Sequence, residues 1–149
     1  MGRNCQYCYR CCCHSHCYPY DKVKKPIVIE ANLNGRNEVP PNGSQARGKL
    51  IGLLSADGLR FDYVLQTQGL INITAAHFHD GIKGQNGPIV KTINIDPATG
   101  AAVGSWTSTD PQQPLTPDLI VGLKDRALYV NVHTSSFPGG EIRGQTHCD

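Results

Sequence analysis

Three histidines stand at positions where their spacing would allow metal binding. His77 and His79 are separated by one residue, and because side chains alternate between the two faces of a β-strand, both imidazoles project from the same face. Phe78 lies between them and is expected to face the core, which sends the imidazoles outward. His133 follows an apolar alternation that ends at Val132, so it also lies opposite a core face. Imidazole nitrogens are common ligands of copper and zinc, and the three side chains form a candidate metal site if the strands bring them together.

The same histidines have a second interpretation, in which the imidazoles donate hydrogen bonds to backbone carbonyls and tie neighbouring loops together. Strand alternation predicts the face on which a side chain lies, but it does not predict the distance to a side chain on another strand. The sequence leaves both interpretations open.

Cysteine is concentrated outside the part of the chain that alternates like a β protein. The 7 cysteines are Cys5, Cys8, Cys11, Cys12, Cys13, Cys17 and Cys148. The body between the last two contains none and needs no sulfur to fold. We therefore expect the terminal thiols to form disulfide crosslinks between subunits once the surroundings become oxidising.

Other uses of the cysteine cluster stay open. Cys5, Cys8 and Cys11 have the close spacing of zinc knuckles, with His14 and His16 nearby. Against zinc, no second pair follows at zinc-finger distance, and the three consecutive cysteines of the cluster cannot all point at one ion without strain. Clustered thiols are also sites of lipid attachment, although no apolar anchor accompanies them here. In the remaining interpretation, the thiols of the tail stay reduced and have no function.

The elements that must position these side chains are short β-strands separated by turns. The 16 glycines and 10 prolines favour many turns over long helices. Asp57 and Gly58 predict a hairpin turn, and one short helix is expected after Thr116, which can cap it, with Pro117 in its first turn. Strands are predicted at residues 26–33, 49–55, 59–65, 73–79, 88–95, 101–107, 127–134 and 141–145. This pattern predicts an all-β sandwich or barrel.

The composition changes near residue 26 and divides the chain into two parts. Residues 1–25 are predicted to form a flexible tail and linker rich in Cys and Tyr, and residues 26–149 one β domain. The net charge of +2 is too small to indicate nucleic-acid binding, and no apolar run of about 18 residues predicts a membrane span. The first residues lack the apolar segment of a secretory signal, so we expect synthesis in the cytoplasm without a signal peptide.

Three motifs in the body occur in an order that resembles the chordin domain family. They are residues 37–41 (NEVPP), residues 76–81 (AHFHDG) and residues 129–145, which contain YVNVHT and PGGEIRGQ. The resemblance covers residues 27–147. It implies an immunoglobulin-like Greek-key sandwich or barrel similar to copper/zinc superoxide dismutase, and it implies no established enzymatic activity.

The same resemblance bears on the histidines. The pair His77 and His79 is similar to a copper-binding pair of the dismutases, but a dismutase-like site needs a fourth copper histidine and one that bridges to zinc. Residues 81–88 contain no His or Asp to hold that zinc. We therefore expect no dismutase activity and no enzymatic role.

Glu38, Glu141 and Arg143 belong to the motifs and are interpreted as structural. Glu141 and Arg143 share a strand face, which indicates either an ion pair between them or contacts to the turn at Glu38. No nucleophile or general base stands beside them in the motif, so a catalytic role is not expected.

These observations predict a structural or assembly protein. The domain would be a building block that the terminal cysteines join into a homo-oligomer or polymer, alone or with other cysteine-rich surface proteins. Bacterial spore coats and exosporia contain proteins of similar composition, made inside the mother cell, so deposition on the spore surface is a further hypothesis. The alternative function is a copper- or zinc-binding module that uses His77, His79 and His133.

Overall fold

The computed structural model describes residues 24–148, and within them it shows one eight-stranded antiparallel sheet and one α-helix. The elements are β1 (Ile27–Asn34), β2 (Arg47–Leu54), β3 (Arg60–Gln68), β4 (Ile73–Asp80), β5 (Ile89–Ile93), β6 (Ala101–Thr107), α1 (Pro117–Lys124), β7 (Asp125–Thr134) and β8 (Ile142–Cys148). The predicted all-β fold with one short helix is confirmed. Each predicted strand is present, with ends that differ by a few residues.

Strands β2 and β3 show how the alternating sequence produces the sheet. Leu50 and Phe61 are fully buried, while the side chains that alternate with them point outward. The predicted turn joins the two strands: Gly58 has a φ of 76°, in the left-handed region where glycine is unstrained. The Asp57 carboxylate accepts hydrogen bonds from the Ser55 hydroxyl at 2.6 Å and from a backbone N–H at 3.0 Å. Local turn chemistry therefore sets the register of this hairpin.

The strand order is β5–β4–β7–β8–β1–β2–β3–β6, and the sheet curls into a nearly closed barrel. Strand β3 pairs with β6 rather than with β4, so the chain crosses one end of the barrel between β3 and β4, as in a Greek key. The two edge strands, β5 and β6, meet at a seam where Asp96 and Ala101 form an isolated bridge.

The segment between β6 and α1 covers this seam. The Gln113 side chain accepts a hydrogen bond from the Thr92 backbone N–H at 3.0 Å, and the Gln113 carbonyl accepts one from the Trp106 indole at 2.7 Å. Lys91 on β5 and Asp110 on this segment form an ion pair. A side chain thus provides a hydrogen-bond partner for a backbone group that the edge of the sheet would otherwise leave unpaired.

An aromatic cluster fills the centre of the barrel. The ring of Phe78 lies 5.2 Å from the rings of both Tyr63 and Trp106 and 6.2 Å from that of Phe61, measured between centroids. Tilted and edge-on arrangements of this kind are favourable for aromatic rings. None of the fully buried apolar side chains in the described core is a cysteine; Cys148 packs only at its margin. The core therefore closes without sulfur.

The helix α1 packs against β7 and β8. The Thr116 hydroxyl accepts a hydrogen bond from the Leu119 N–H at 3.4 Å, and Pro117 occupies the first turn, as predicted. Leu123 is buried, and Leu119 and Ile120 are partly buried against the core. Within residues 24–148, no helix has the length and apolar character of a membrane-spanning segment.

The predicted tail lies almost wholly outside the described residues, and with it the six cysteines at positions 5–17. Cys148, at the end of β8, is half-buried, and its Sγ lies 3.8 Å from the Lys124 carbonyl oxygen. Cys148 is disulfide-bonded. Crosslinking between subunits stays a prediction.

Candidate metal centre

The pairing of β4, β7 and β8 brings the predicted ligands onto one outer face of the barrel. His77 lies opposite Asn131, and Asn131 lies opposite Arg143, so these three form one row across the strands. His79 and His133 lie in the rows on either side of it. The antiparallel register of β4 and β7 therefore gathers the three histidines, which are far apart in sequence.

The three imidazoles converge. One nitrogen from each ring lies within 4.8 Å of the others. The Nδ1 of His77 and the Nε2 of His133 are 3.1 Å apart, a hydrogen-bond distance. In a tetrahedral site with metal–nitrogen bonds of about 2.0 Å, the ligand nitrogens stand about 3.3 Å apart. Small ring movements would thus place all three nitrogens around one ion.

Backbone carbonyls orient two of the rings. The Nδ1 of His79 donates to the Gly87 carbonyl at 2.8 Å, and the Nδ1 of His133 donates to the Pro138 carbonyl at 2.9 Å. Because a neutral imidazole carries one proton, these bonds leave each Nε2 as an acceptor. Metal-binding histidines usually donate their other N–H to such a carbonyl. Both interpretations left open by the sequence, carbonyl bonding and convergence, are therefore present together.

His79 is more enclosed than strand alternation predicts. It points away from the core, yet it is only 8% exposed because the loop of residues 81–88 passes over it. Its ring is stacked on Tyr129, with 4.7 Å between centroids and 4° between planes. The Nε2 of His79 is buried and makes no well-formed hydrogen bond among the described residues, although the Asn131 side chain interacts with the ring. A metal ion fits the chemistry of such an acceptor.

Burial favours the neutral form of two of the imidazoles. Desolvation lowers the pKa of His77 from 6.5 to about 4, and the neighbouring His133 and His79 add to the shift. Desolvation also lowers the pKa of His79. Since the neutral imidazole is the form that binds a metal, these two side chains are available as ligands at neutral pH.

Sequence reasoning missed Tyr129 and Asn131 as parts of this site. Both side chains lie on the polar face of β7, and both are 2% exposed. The Oδ1 of Asn131, like the Oε1 of Glu38, is buried without a hydrogen-bond partner among the described residues. The sequence did contain a signal: Tyr129, Asn131 and His133 are spaced two residues apart, so their side chains share one face of the strand.

Glu141 and Arg143 do not form the ion pair that their spacing allowed. The Glu141 carboxylate instead accepts hydrogen bonds from the hydroxyls of Ser44 and Thr134, at 2.6 and 2.7 Å. Arg143 acts electrostatically on Glu38: burial raises the pKa of Glu38 from 4.5 to about 7, and the charge of Arg143 opposes that rise. Beside Glu38, the Asn37 side chain donates a hydrogen bond to the Arg143 carbonyl at 3.0 Å.

Among family models, that of the CHRD domain matches residues 29–146. The chain belongs to the CHRD domain family. The CHRD match begins in β1, ends in β8 and contains all three histidines, and it leaves the six-cysteine cluster outside. No curated protein and no solved structure matched the chain. The chemistry of this CHRD domain must therefore be argued from its own residues.

Proposed function

We propose that this CHRD domain binds one copper or zinc ion through His77, His79 and His133. The observation that carries the proposal is the convergence of three imidazole nitrogens within 4.8 Å. Carbonyl bonds at the Nδ1 of His79 and of His133 support it, because they aim the Nε2 of both rings at the place where an ion would sit.

The donor set selects the class of ion. Imidazole suits zinc and copper, whereas magnesium and calcium require oxygen ligands. The cluster of described metal-ligating side chains contains only the three histidines, which leaves one coordination position for water or an external ligand. His77 and His133 are half-exposed, so that position is reachable from solvent. We propose ion binding without turnover as the role of the site.

Titration with zinc and, separately, with copper tests this function in a metal-free protein whose six cysteines at positions 5–17 are replaced by serine, because those thiols would also bind both ions. We expect one equivalent to bind, and an ion at one hundred times its dissociation constant to raise the free energy of unfolding by about 2.7 kcal/mol. His77→Gln and His133→Gln should each abolish tight binding. His147→Gln is the matched control, because His147 lies outside the cluster, and it should bind like the wild type. A wild-type protein that takes up neither ion would overturn the proposal.

The second candidate function is assembly through disulfides. It is supported by the closure of the described core without sulfur and by the dense thiols at positions 5–17 of the sequence, outside the CHRD match. Material from its native location should then run as multimers on a non-reducing gel and as a monomer after reduction. Deleting residues 1–23, which contain six of the seven cysteines, should abolish the multimers. Monomer alone on the non-reducing gel would remove the idea.

Deposition on a bacterial spore surface is the most specific form of the assembly proposal. The resemblance of the tail composition to spore-surface proteins motivates it. Fractionation of spores tests it: the protein should be found in the coat or exosporium fraction and should require a reducing agent for extraction. Recovery only from the vegetative-cell cytosol would contradict it.

A further inference from the structure

The loop of residues 81–88 turns its polar groups toward Arg143. The Nη2 of Arg143 donates to the carbonyl oxygens of Ile82 and Gln85, at 3.0 and 2.8 Å, and its Nη1 donates to the Asn86 side-chain oxygen at 3.2 Å. The loop contains no Asp or Glu. A cation supplied by β8 therefore organises it through backbone dipoles and one amide.

The guanidinium of Arg143 is deeply buried for a charged group. Arg143 is 1% exposed, and among the described residues it takes part in no ion pair within 4 Å. Burial of a charge is costly unless its donors are satisfied. The Gln145 side-chain oxygen accepts from its Nε and Nη2, and the Tyr129 ring lies 3.5 Å from its central carbon. So many partners indicate a fixed position for this side chain.

Two routes connect Arg143 with His79. The first runs through the loop, because Gly87 lies directly after Asn86, and its carbonyl accepts the hydrogen bond from the Nδ1 of His79. The second runs through Tyr129, whose ring contacts the guanidinium and is stacked on the imidazole. The Tyr129 hydroxyl also accepts a hydrogen bond from the Gly87 N–H at 3.2 Å, which joins the two routes.

We propose that Arg143 is a positioning residue of the metal centre: it holds the loop and Tyr129 so that Gly87 keeps the Nδ1 of His79 protonated and its Nε2 free for the ion. This rests on the metal-binding function proposed above.

The substitution that tests this is Arg143→Lys, which keeps the charge and removes the planar fork that reaches several oxygens at once. We expect zinc affinity, measured by competition with a chelator of known affinity, to fall about 10- to 100-fold. Arg60→Lys is the matched control: Arg60 is exposed on the other side of the barrel and pairs with Asp62, so its replacement should leave zinc affinity unchanged.

A second measurement reports the tautomer of the His79 imidazole. Nitrogen NMR of the metal-free protein should show the Nδ1–H tautomer at His79 in the wild type and a mixture of tautomers in Arg143→Lys. If Arg143→Lys does not fold, Asn86→Ala removes one partner of the guanidinium from an exposed position and should shift both readouts in the same direction by a smaller amount.

The outcomes separate the two proposals. A folded Arg143→Lys protein with wild-type zinc affinity and an unchanged His79 tautomer overturns the positioning role. If Arg143→Lys does not fold, the same two results from Asn86→Ala overturn it. A wild-type protein that binds no metal overturns the metal function, and the tautomer measurement then still decides whether Arg143 positions the His79 ring.

Discussion

The barrel has two outer faces that differ in the polarity and in the exposure of their outward side chains. On β4, β7 and β8 the outward side chains are largely polar, yet Asn131 and Arg143 are only 2% and 1% exposed. On β2, β3 and β6 the outward side chains Ile51, Val64 and Val103 form one aliphatic row across the strands, and they are 41–81% exposed. We call these the covered polar face and the open aliphatic face.

Loops account for the difference. Residues 81–88 and 135–141 pass over the covered polar face and supply carbonyl oxygens to it, including those of Gly87 and Pro138. Over the open aliphatic face an open groove of about 690 Å³ remains, bordered by Val28 and Leu53. Polar side chains can be buried in this domain because loop backbone satisfies their hydrogen bonds. The candidate metal site lies on the covered polar face and not on the open aliphatic face.

The largest loss of stability should come from a substitution at Gly140, in the loop that passes over the covered polar face. This residue has a φ of 125°, and a Cβ atom there would lie 2.5 Å from the Oε1 of Glu38 and 2.7 Å from the Nδ2 of Asn131. We expect Gly140→Ala to lower the free energy of unfolding by about 2–4 kcal/mol, measured by urea denaturation. Gly139→Ala is the matched control, because no atom lies within 4 Å of its Cβ position. Equal losses in the two variants would contradict a tightly fitted cover.

A smaller effect, dependent on pH, should come from the buried carboxyl of Glu38. Its pKa in the folded state is about 7 against an ordinary value of 4.5, chiefly because of desolvation. Between these values the folded state holds more protons than the unfolded state, so stability falls as the pH rises through this window. Glu38→Gln should remove that fall, which we expect to be ~1–3 kcal/mol between pH 4 and pH 8.

Denaturation curves of the wild type and Glu38→Gln at several pH values measure this effect. Plotted against pH, the free energies of unfolding of the two proteins should differ in slope between pH 4.5 and 7 and should run parallel above that range. Curves that stay parallel throughout would show that Glu38 is not the group responsible.

The smallest effect should be found on the open aliphatic face. Val103 is 81% exposed, so Val103→Ser should change the free energy of unfolding by no more than about 0.5 kcal/mol. Val132→Thr is the comparison on the core side: Val132 is 0% exposed, and burying a hydroxyl there should cost about 1–3 kcal/mol. Thermal unfolding of both variants provides the measurement. A large loss from Val103→Ser would show that this face is covered in solution.

Features that depend on neighbouring residues could be predicted from the sequence. The turn at Gly58 and the Thr116 cap follow from local backbone chemistry, and the strands follow from alternation. The face on which each histidine lies also follows from alternation. Their convergence does not, because it depends on the pairing of His77 with Asn131 in a strand more than fifty residues away.

The partners of Arg143 could not be predicted for a different reason. Two of them are the backbone carbonyls of Ile82 and Gln85, which every residue possesses and which leave no trace in a sequence. The residue types allowed an ion pair with Glu141, two positions away, and equally contacts to the turn at Glu38. The burial of His79 was missed for the same reason, because the loop that encloses it binds it through the Gly87 backbone.

The packing of Trp106 has a practical consequence for following metal uptake. It is the only tryptophan of the chain, and its ring lies 5.2 Å from that of Phe78, the residue between His77 and His79. An intrinsic fluorophore thus sits one side chain away from the strand that would carry the ion. Copper(II), with its unpaired electron, should quench this emission, whereas zinc, with a filled d shell, should leave its intensity nearly unchanged. The molecule would then report, without any label, which of the two ions it has taken.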